Sequence, residues 1–388
     1  MAILEVGRLG GRAVSRAPDF RIDFVRDWKL AEACWAGGGH RTAFQHRHWL
    51  EAWYGAFAES SPLIAIITDN ATEQQVALLP LIRRVASGIR IVEFADLGVT
   101  DYNAPVLGFV APHDRIEARA LCQALLTGLR NLPEGVDLLR LRKMPANVGG
   151  VPNPLASLGR MGSCSLNGNL VVVGDDFEAY RASLKRMELP RSWRVFNRYP
   201  GAKFRIVTDV DEALALLDTM DAQQHERMDQ LGLKFVLDDD SHSRFYRDII
   251  RQGVRDGFAV VSALTCDDEV VATTLGIRGG SDYTLLRISN AGKRWSNVSP
   301  GLLVIERTME ALHTDGVRQF DLSIGNYAYK RRFGAAQIPL ADVSIAIGWR
   351  GLPYLLRDYA AQRLRRYPRL HERILRALGR PPTGEEKS

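Results

Sequence analysis

The chain predicts an α/β fold built from two mixed-sheet domains in tandem, each sheet flanked by helices. Two observations carry this expectation. Apolar residues switch repeatedly between alternating, strand-like runs and helical spacing. The resulting order of elements then occurs twice along the 388 residues: helix, helix, three meandering strands, helix, strand. A length near 150 residues per domain agrees with two or three domains. The expected division is 1–174 for the first domain, 175–349 for the second and 350–388 for a basic tail.

In the first copy a helix is expected near Phe24–Ala36, running to Gly37-Gly38-Gly39, and an aromatic-rich helix over Gln45–Phe57. Apolar strands follow at Pro62–Thr68, Gln75–Val85 and Ile89–Phe94, the first two parted by the turn-forming Asp69-Asn70-Ala71-Thr72. The loop Asp101–Pro105 precedes a helix over His113–Arg130 and a strand over Val136–Arg142. The Pro/Gly-rich stretch Pro145–Gly162 reads as a connection, and Asn169–Val173 as a further strand. In the second copy helices are expected over Val210–Leu231, with apolar residues at 213, 214, 216, 217 and 220, and over Ser241–Asp256. Strands follow at Phe258–Thr265, Glu269–Arg278 and Tyr283–Ser289, then a helix at Pro300–Thr314 and a strand at Val317–Leu322.

Composition narrows the class. With 46% hydrophobic and 25% charged residues the chain is of ordinary globular type. It has no apolar run of membrane-spanning length, and Met1–Gly10 carries Glu5 and Arg8 in place of a signal-like segment. Cys34, Cys122, Cys164 and Cys266 are scattered without zinc-site spacing, so neither a disulfide framework nor a metal is expected. A cytoplasmic protein fits these features. The net charge of +6 is local. Nine arginines lie between Arg350 and Arg380 against Asp358 and Glu372, and a second basic run spans Arg181–Arg205. Local charge suits docking of a phosphate or an acidic surface.

Ser299-Pro300-Gly301-Leu302 opens the helix at Pro300–Thr314. Serine suits a helix cap, proline the first helical position, and glycine a close approach of the backbone. Free amides and the positive end of the helix dipole attract phosphate there; the alternative is a plain cap. Tyr329 and Lys330 follow the strand Val317–Leu322 and Gly325. Ligands of α/β sheets bind beyond the carboxyl ends of strands, although Tyr329 can equally pack a short helix and Lys330 be a solvated charge. Asp321 either faces such a site, caps the next turn or pairs with a nearby arginine. His225 is a candidate general base or an ordinary helix-surface histidine.

Four segments together resemble a known family: His225-Glu226-Arg227, the paired strands Phe258–Arg278, the run Trp295–Leu303 with its Ser-Pro-Gly-Leu-Leu core, and Phe320–Gly334 with its Phe-Asp…Gly…Tyr-Lys pattern. They are similar to the acyltransferase domain found beside cellulose and exopolysaccharide synthesis genes (CelD-like), a branch of the GNAT superfamily. The whole chain, with Trp49, Trp53 and the Asp101–Pro105 loop in the first copy, is similar to tandem, FemABX-type transferases. The resemblance implies tandem GNAT-like domains and an acyltransferase. Ser299, Pro300, Gly301 and Leu302 would hold an acyl-CoA donor, and Tyr329, Lys330, Asp321 and His225 would surround the reacting centre. The acceptor would be a small molecule or a glycan precursor of the cell envelope.

Asn297-Val298-Ser299-Pro300-Gly301 departs from the Gln/Arg-x-x-Gly-x-Gly/Ala loop of ordinary GNAT enzymes in having one glycine and a proline. The donor therefore stays open between acyl-CoA, a carrier-protein thioester and aminoacyl-tRNA. The interleaving of Trp193, Phe196 and Tyr199 with cations suits tRNA, but suits equally a helix whose aromatics face the core. The tail Tyr354–Leu378 reads as a basic amphipathic helix, which either rests on an anionic membrane surface at the inner face or packs on the body. A non-catalytic scaffold of a polysaccharide-synthesis complex is the remaining alternative.

Overall fold

A computed structural model describes residues 19–36, 38–159, 161–184, 188–233 and 235–365. Lys185 and Arg186 of the basic run, and residues 366–388 of the expected tail, lie outside the described residues. In chain order the first half comprises β1 (Phe20–Val25), α1 (Trp28–Cys34), α2 (Arg47–Ala56), β2 (Ser61–Pro62), β3 (Ile64–Asp69), β4 (Gln75–Leu79), β5 (Leu81–Ala86) and β6 (Ile89–Phe94). It continues through β7 (Val106–Leu107), α3 (Arg115–Arg130), β8 (Leu138–Met144), the short β9 (Asn147–Val148) and β10 (Val151–Pro152), and β11 (Gly162–Val172). The second half comprises α4 (Phe177–Ser183), α5 (Leu189–Phe196), β12 (Ala202–Val207), α6 (Val210–Leu231), α7 (Asp240–Gly253) and β13 (Ala259–Cys266). Then follow β14 (Glu269–Gly279), β15 (Asp282–Asn290), α8 (Pro300–Thr314), β16 (Gln319–Asp321), α9 (Ala328–Arg332), β17 (Ala336–Ala346) and α10 (Leu352–Arg365).

The mixed α/β class and the doubled order of elements are both present. In each half a meander leads through a crossover helix to a parallel strand: β6, α3 and β8 in the first, β15, α8 and β16 in the second. A crossover of that length is what parallel neighbours require. The halves nevertheless share one 11-stranded sheet, in the order β12-β13-β14-β15-β16-β11-β17-β8-β6-β5-β2. Its centre is an exchange. β11 leaves the first half to pair with β16 (Leu170 opposite Asp321), while β17 leaves the second to pair with β8 (Val343 opposite Leu141). β11 and β17 also pair with each other, through an irregularity that places Pro339 opposite Asn167.

Several local expectations are corrected. Phe24 and Val25 close a strand, Phe20–Val25, where the first helix was expected to start; the strand's residues alternate, and Asp27 caps the helix by accepting from the Leu30 amide at 2.8 Å. Pro80 cannot donate to a ladder, and it divides the expected strand Gln75–Val85 between a four-stranded sheet, β1-β3-β4-β7, and the large one. β17 was not among the expected strands; the proline in its middle, unusual for a central strand, sits at the irregular pairing with β11.

α8 docks by its apolar stripe, with Leu303 and Val304 in one core cluster and Ile305, Met309 and Leu312 in another. Beneath it Glu306, fully buried, takes Arg181 and Arg307 at 2.6 Å each. A buried carboxylate is tolerable only when paired in this way.

Candidate active site

β16 ends on Asp321, whose carboxylate accepts the amide of Ser323 at 2.6 Å. Ser323 adopts φ 68°, a left-handed conformation that an ordinary side chain rarely takes, and Gly325 follows at φ 106°. The chain thereby folds back and α9 returns Lys330 beneath the turn. Only 2% of Lys330 is exposed, and its Nζ donates to the carbonyls of Ser323 (3.2 Å) and Ile324 (2.6 Å). From β11, the buried Asn169 amide donates to the Ser323 and Gly325 carbonyls at 2.7 and 2.9 Å. The Ser323 hydroxyl donates to Asp101, which arrives from the loop of the first half. That loop is held by Gln45, donating to the Tyr102 carbonyl at 2.9 Å, and by Asn103, donating to Asp96 at 2.9 Å and to the Arg142 carbonyl at 3.0 Å.

Three ionisable groups from both halves are thus enclosed together. Burial raises Asp321 to about 6 and raises Asp101 also; Ser323 and the nearby lysines oppose the latter rise. Burial lowers Lys330 to about 8, against the pull of Asp101 and Asp321. Groups shifted toward neutrality in this way are suited to proton transfer. The buried Tyr102 hydroxyl lies against Gly168, where a Cβ would come within 2.1 Å of it, and it stands near enough to Asp321 to oppose that carboxyl's rise.

A second polar group adjoins the first. Arg287 projects from β15 next to an irregularity in its pairing with β14. It binds Asp221 at 2.6 Å, and its Nε donates to Gln224 at 3.2 Å, while its guanidinium lies 4.8 Å from the centre of the Tyr246 ring. One of its terminal nitrogens is buried and unpartnered. Burial pushes the Tyr246 hydroxyl up to about 12; Arg287 opposes this, and Asp101 and Asp221 reinforce it. Tyr246 therefore feels both groups.

Of the residues singled out in the sequence, the structure brings Asp321 and Lys330 together and leaves others apart. Lys330 is not the solvated charge that one reading allowed; its cation serves the protein's own carbonyls. Asp321 does close the next turn. Tyr329 packs against the cluster of Phe320 and Phe333, and Leu302 of the first turn of α8 packs on that same cluster. Burial pushes the Tyr329 hydroxyl up to about 12, so it stays protonated at neutral pH. His225 lies on α6 between Asp229 (3.3 Å) and Asp238 (3.4 Å), half exposed, and has no described contact with Asp321, Tyr329 or Lys330. Ser299 stands at the cap position of α8 but at φ 48°, and its side chain makes no capping bond, which corrects the expectation of a serine cap. Its amide binds the Ser296 carbonyl, and Pro300 is buried and has no N–H. Among the described residues the amides of Gly301 and Leu302 have no partner, so they fit an incoming phosphate.

Three cations of the basic run are paired with acids. Arg181 is held by Glu178, Glu306 and Glu310, Arg191 by Glu188 and Arg205 by Glu212. Phe196 is fully buried beside Trp295, and Arg307 stacks 5.0 Å from Trp193.

Arg287, Asp101, Tyr102, Asn169 and Ser323 were given no role by sequence reasoning. A lone charge within the apolar run Tyr283–Ser289 was the available signal for Arg287. Also unforeseen is a cavity of about 580 Å³ between the halves, lined by His40, Arg41, His46 and Arg278 and by glycines including Gly149 and Gly280. Arg41 is exposed, and Arg278 has only a 4.0 Å approach to Asp315. Burial lowers His46 to about 4, leaving its ring neutral and stacked 4.3 Å from Phe258. The 3-10 turn Ala43–Gln45 borders this cavity and, through Gln45, also holds Tyr102.

No curated protein matches the chain. FemX has a similar fold, with a TM-score of 0.57 at 10% identity, covering 86% of this chain and 98% of that one. The C-terminal domain (DUF2156) of a putative lysylphosphatidylglycerol synthetase from Agrobacterium fabrum gives 0.49 at 12% identity, over 82% of this chain and 91% of its own. A tandem GNAT protein from the clavulanic acid biosynthesis pathway gives 0.43 at 12% identity, over 85% and 99%. Residues 183–331, which contain α8, Asp321 and Lys330, match the acetyltransferase (GNAT) domain family.

Proposed function

We propose that the protein transfers an acyl group from a CoA-type thioester to an amine or hydroxyl of a small anionic acceptor. The enclosed cluster Asp101–Asp321–Lys330, at the carboxyl end of the parallel strand in the GNAT-matching segment, carries this reading. Gly301 and Leu302 would receive the donor's phosphate with their unpartnered amides. The acceptor amine attacks the thioester carbonyl, its N–C bond forms and the C–S bond breaks. Asp321, ionised above about pH 6, accepts the proton lost by the amine. Tyr329, protonated at neutral pH, can supply the proton that the leaving thiolate takes up. Lys330 and Asn169 position the turn that carries Asp321. Arg41 and Arg278 suit a phosphate or carboxylate on the acceptor, and the sequence resemblance favours an exopolysaccharide or cell-envelope precursor.

Titration calorimetry with acetyl-CoA, longer acyl-CoAs and bulk tRNA, paired with a thiol-release assay, tests the reading. Saturable acyl-CoA binding and acceptor-dependent thiol release are expected. Steeply salt-dependent binding of tRNA without acyl-CoA binding would replace the donor. Binding of neither, with a cellular phenotype untouched by Asp321→Asn, would leave a scaffold.

A further inference from the structure

α10 has an inner face that is fixed and an outer face that faces solvent. Inward, Tyr354 and Leu355 pack on the cluster of Ile89, Ile91 and Leu138. Asp358, the helix's one acid, is buried against Arg140 at 2.9 Å and Ser344 at 2.8 Å. The Tyr354 hydroxyl donates to the Ser87 carbonyl, and Arg350 to the Gly88 carbonyl, at 2.7 Å each. The helix therefore cannot roll to hide its other side. That side is apolar where water should favour polar residues. Trp349, in the 3-10 turn just before the helix, is 80% exposed, and Leu352 and Leu356, one helical turn apart, are 49% and 65% exposed. Arg350, Arg357 and Arg363 are exposed beside them. Asp358 also takes Arg357 at 3.3 Å, so among the described residues of this helix a single acid stands beside these arginines.

We infer that this face, Trp349–Leu352–Leu356 with its flanking arginines, docks the protein on an anionic lipid surface. Tryptophan favours the boundary between headgroups and acyl chains, leucines enter the apolar layer, and arginines meet lipid phosphates. Among the described residues no helix is long and apolar enough to cross a membrane, so attachment here is from the side. The inference stands apart from the proposed chemistry, since none of these residues touches the Asp321 cluster.

Co-sedimentation of the full chain with vesicles tests it, using phosphatidylcholine alone and phosphatidylcholine with phosphatidylglycerol. Binding is expected only to the mixed vesicles, weakening as salt rises. Trp349→Ser with Leu356→Ser should lower that binding about tenfold or more, since each removes a large inserted side chain. The thermal midpoint should hardly move, because both side chains face water. Equal binding to neutral vesicles, or no binding to either, overturns the inference. So does a marked fall in thermal midpoint on Leu356→Ser, which would mean that the chain itself covers the face. Sedimentation of the wild-type chain as a dimer that the double variant abolishes would assign the face to a second copy instead.

Discussion

The two crossover helices of this duplicated fold open differently, and the difference separates the roles of the halves. α3 begins with Asp114, whose carboxylate accepts the amides of Ile116 at 2.7 Å and Glu117 at 2.9 Å, and Glu117 adds a second acid in the first turn. Its positive end already holds an anion of its own. α8 begins with Ser299, which makes no side-chain cap, and has no acid in its first turn. The strands preceding these helices differ too. β14 runs unbroken over 11 residues, whereas its counterpart is cut at Pro80 and divided between two sheets. On the proposed reading, a phosphorylated donor would meet a carboxylate at the opening of α3 and uncapped amides at that of α8. The first half contributes Asp101 and one wall of the cavity.

The largest effect expected is from Asp321→Asn. It should lower kcat/KM by about 10²–10⁴ and abolish the rise of activity through pH about 6, while donor affinity, read by calorimetry, stays the same. An equal loss from substituting Asp101 with intact pH dependence would move the base to the first half.

The exchanged strand can be probed next. Leu340→Ala in β17 removes a buried side chain from the strand that joins the halves and should cost about 2–5 kcal/mol. Both halves should unfold in one transition, followed by fluorescence from Trp49 and Trp53 on one side and Trp295 on the other. Two separated transitions would show that the shared sheet does not couple them.

Ser299→Asp places a carboxylate at the opening of α8, where α3 has Asp114. A carboxylate beside the Gly301 and Leu302 amides should weaken acyl-CoA binding roughly tenfold. Asp114→Ala should leave that binding alone and destabilise the protein by about 1 kcal/mol.

The last effect concerns pH and stability. Lys330 loses its proton near pH 8 when folded but near 10.5 when unfolded. The unfolded state then binds more protons between those values, so this group makes stability rise with pH across that window. Denaturant melts of Lys330→Met should lose this slope between pH 8 and 10.5.

Elements with clean periodicity were legible without coordinates. Val210–Leu231 and Pro300–Thr314 end where their patterns end, and Gly232, at φ 66°, closes the first of them. Asp321 and Lys330 stood out in the sequence because Asp321 closes a strand and Lys330 follows the glycine turn beyond it. Asp101, Asn169 and Arg287 did not, since the neighbours that give them meaning lie 222, 154 and 66 residues away in the chain.

What the chain's order of residues determined by itself is the doubled α/β pattern, because burial repeats at 2.0 or 3.6 residues wherever one face of an element meets the core. What only the tertiary structure decided is which last strand closes which half. β11 and β17 present similar edges, and backbone ladders carry no label for the half they came from. The exchange follows from how the whole sheet packs, and it is this packing that carries the first half's Asp101 to the second half's Ser323.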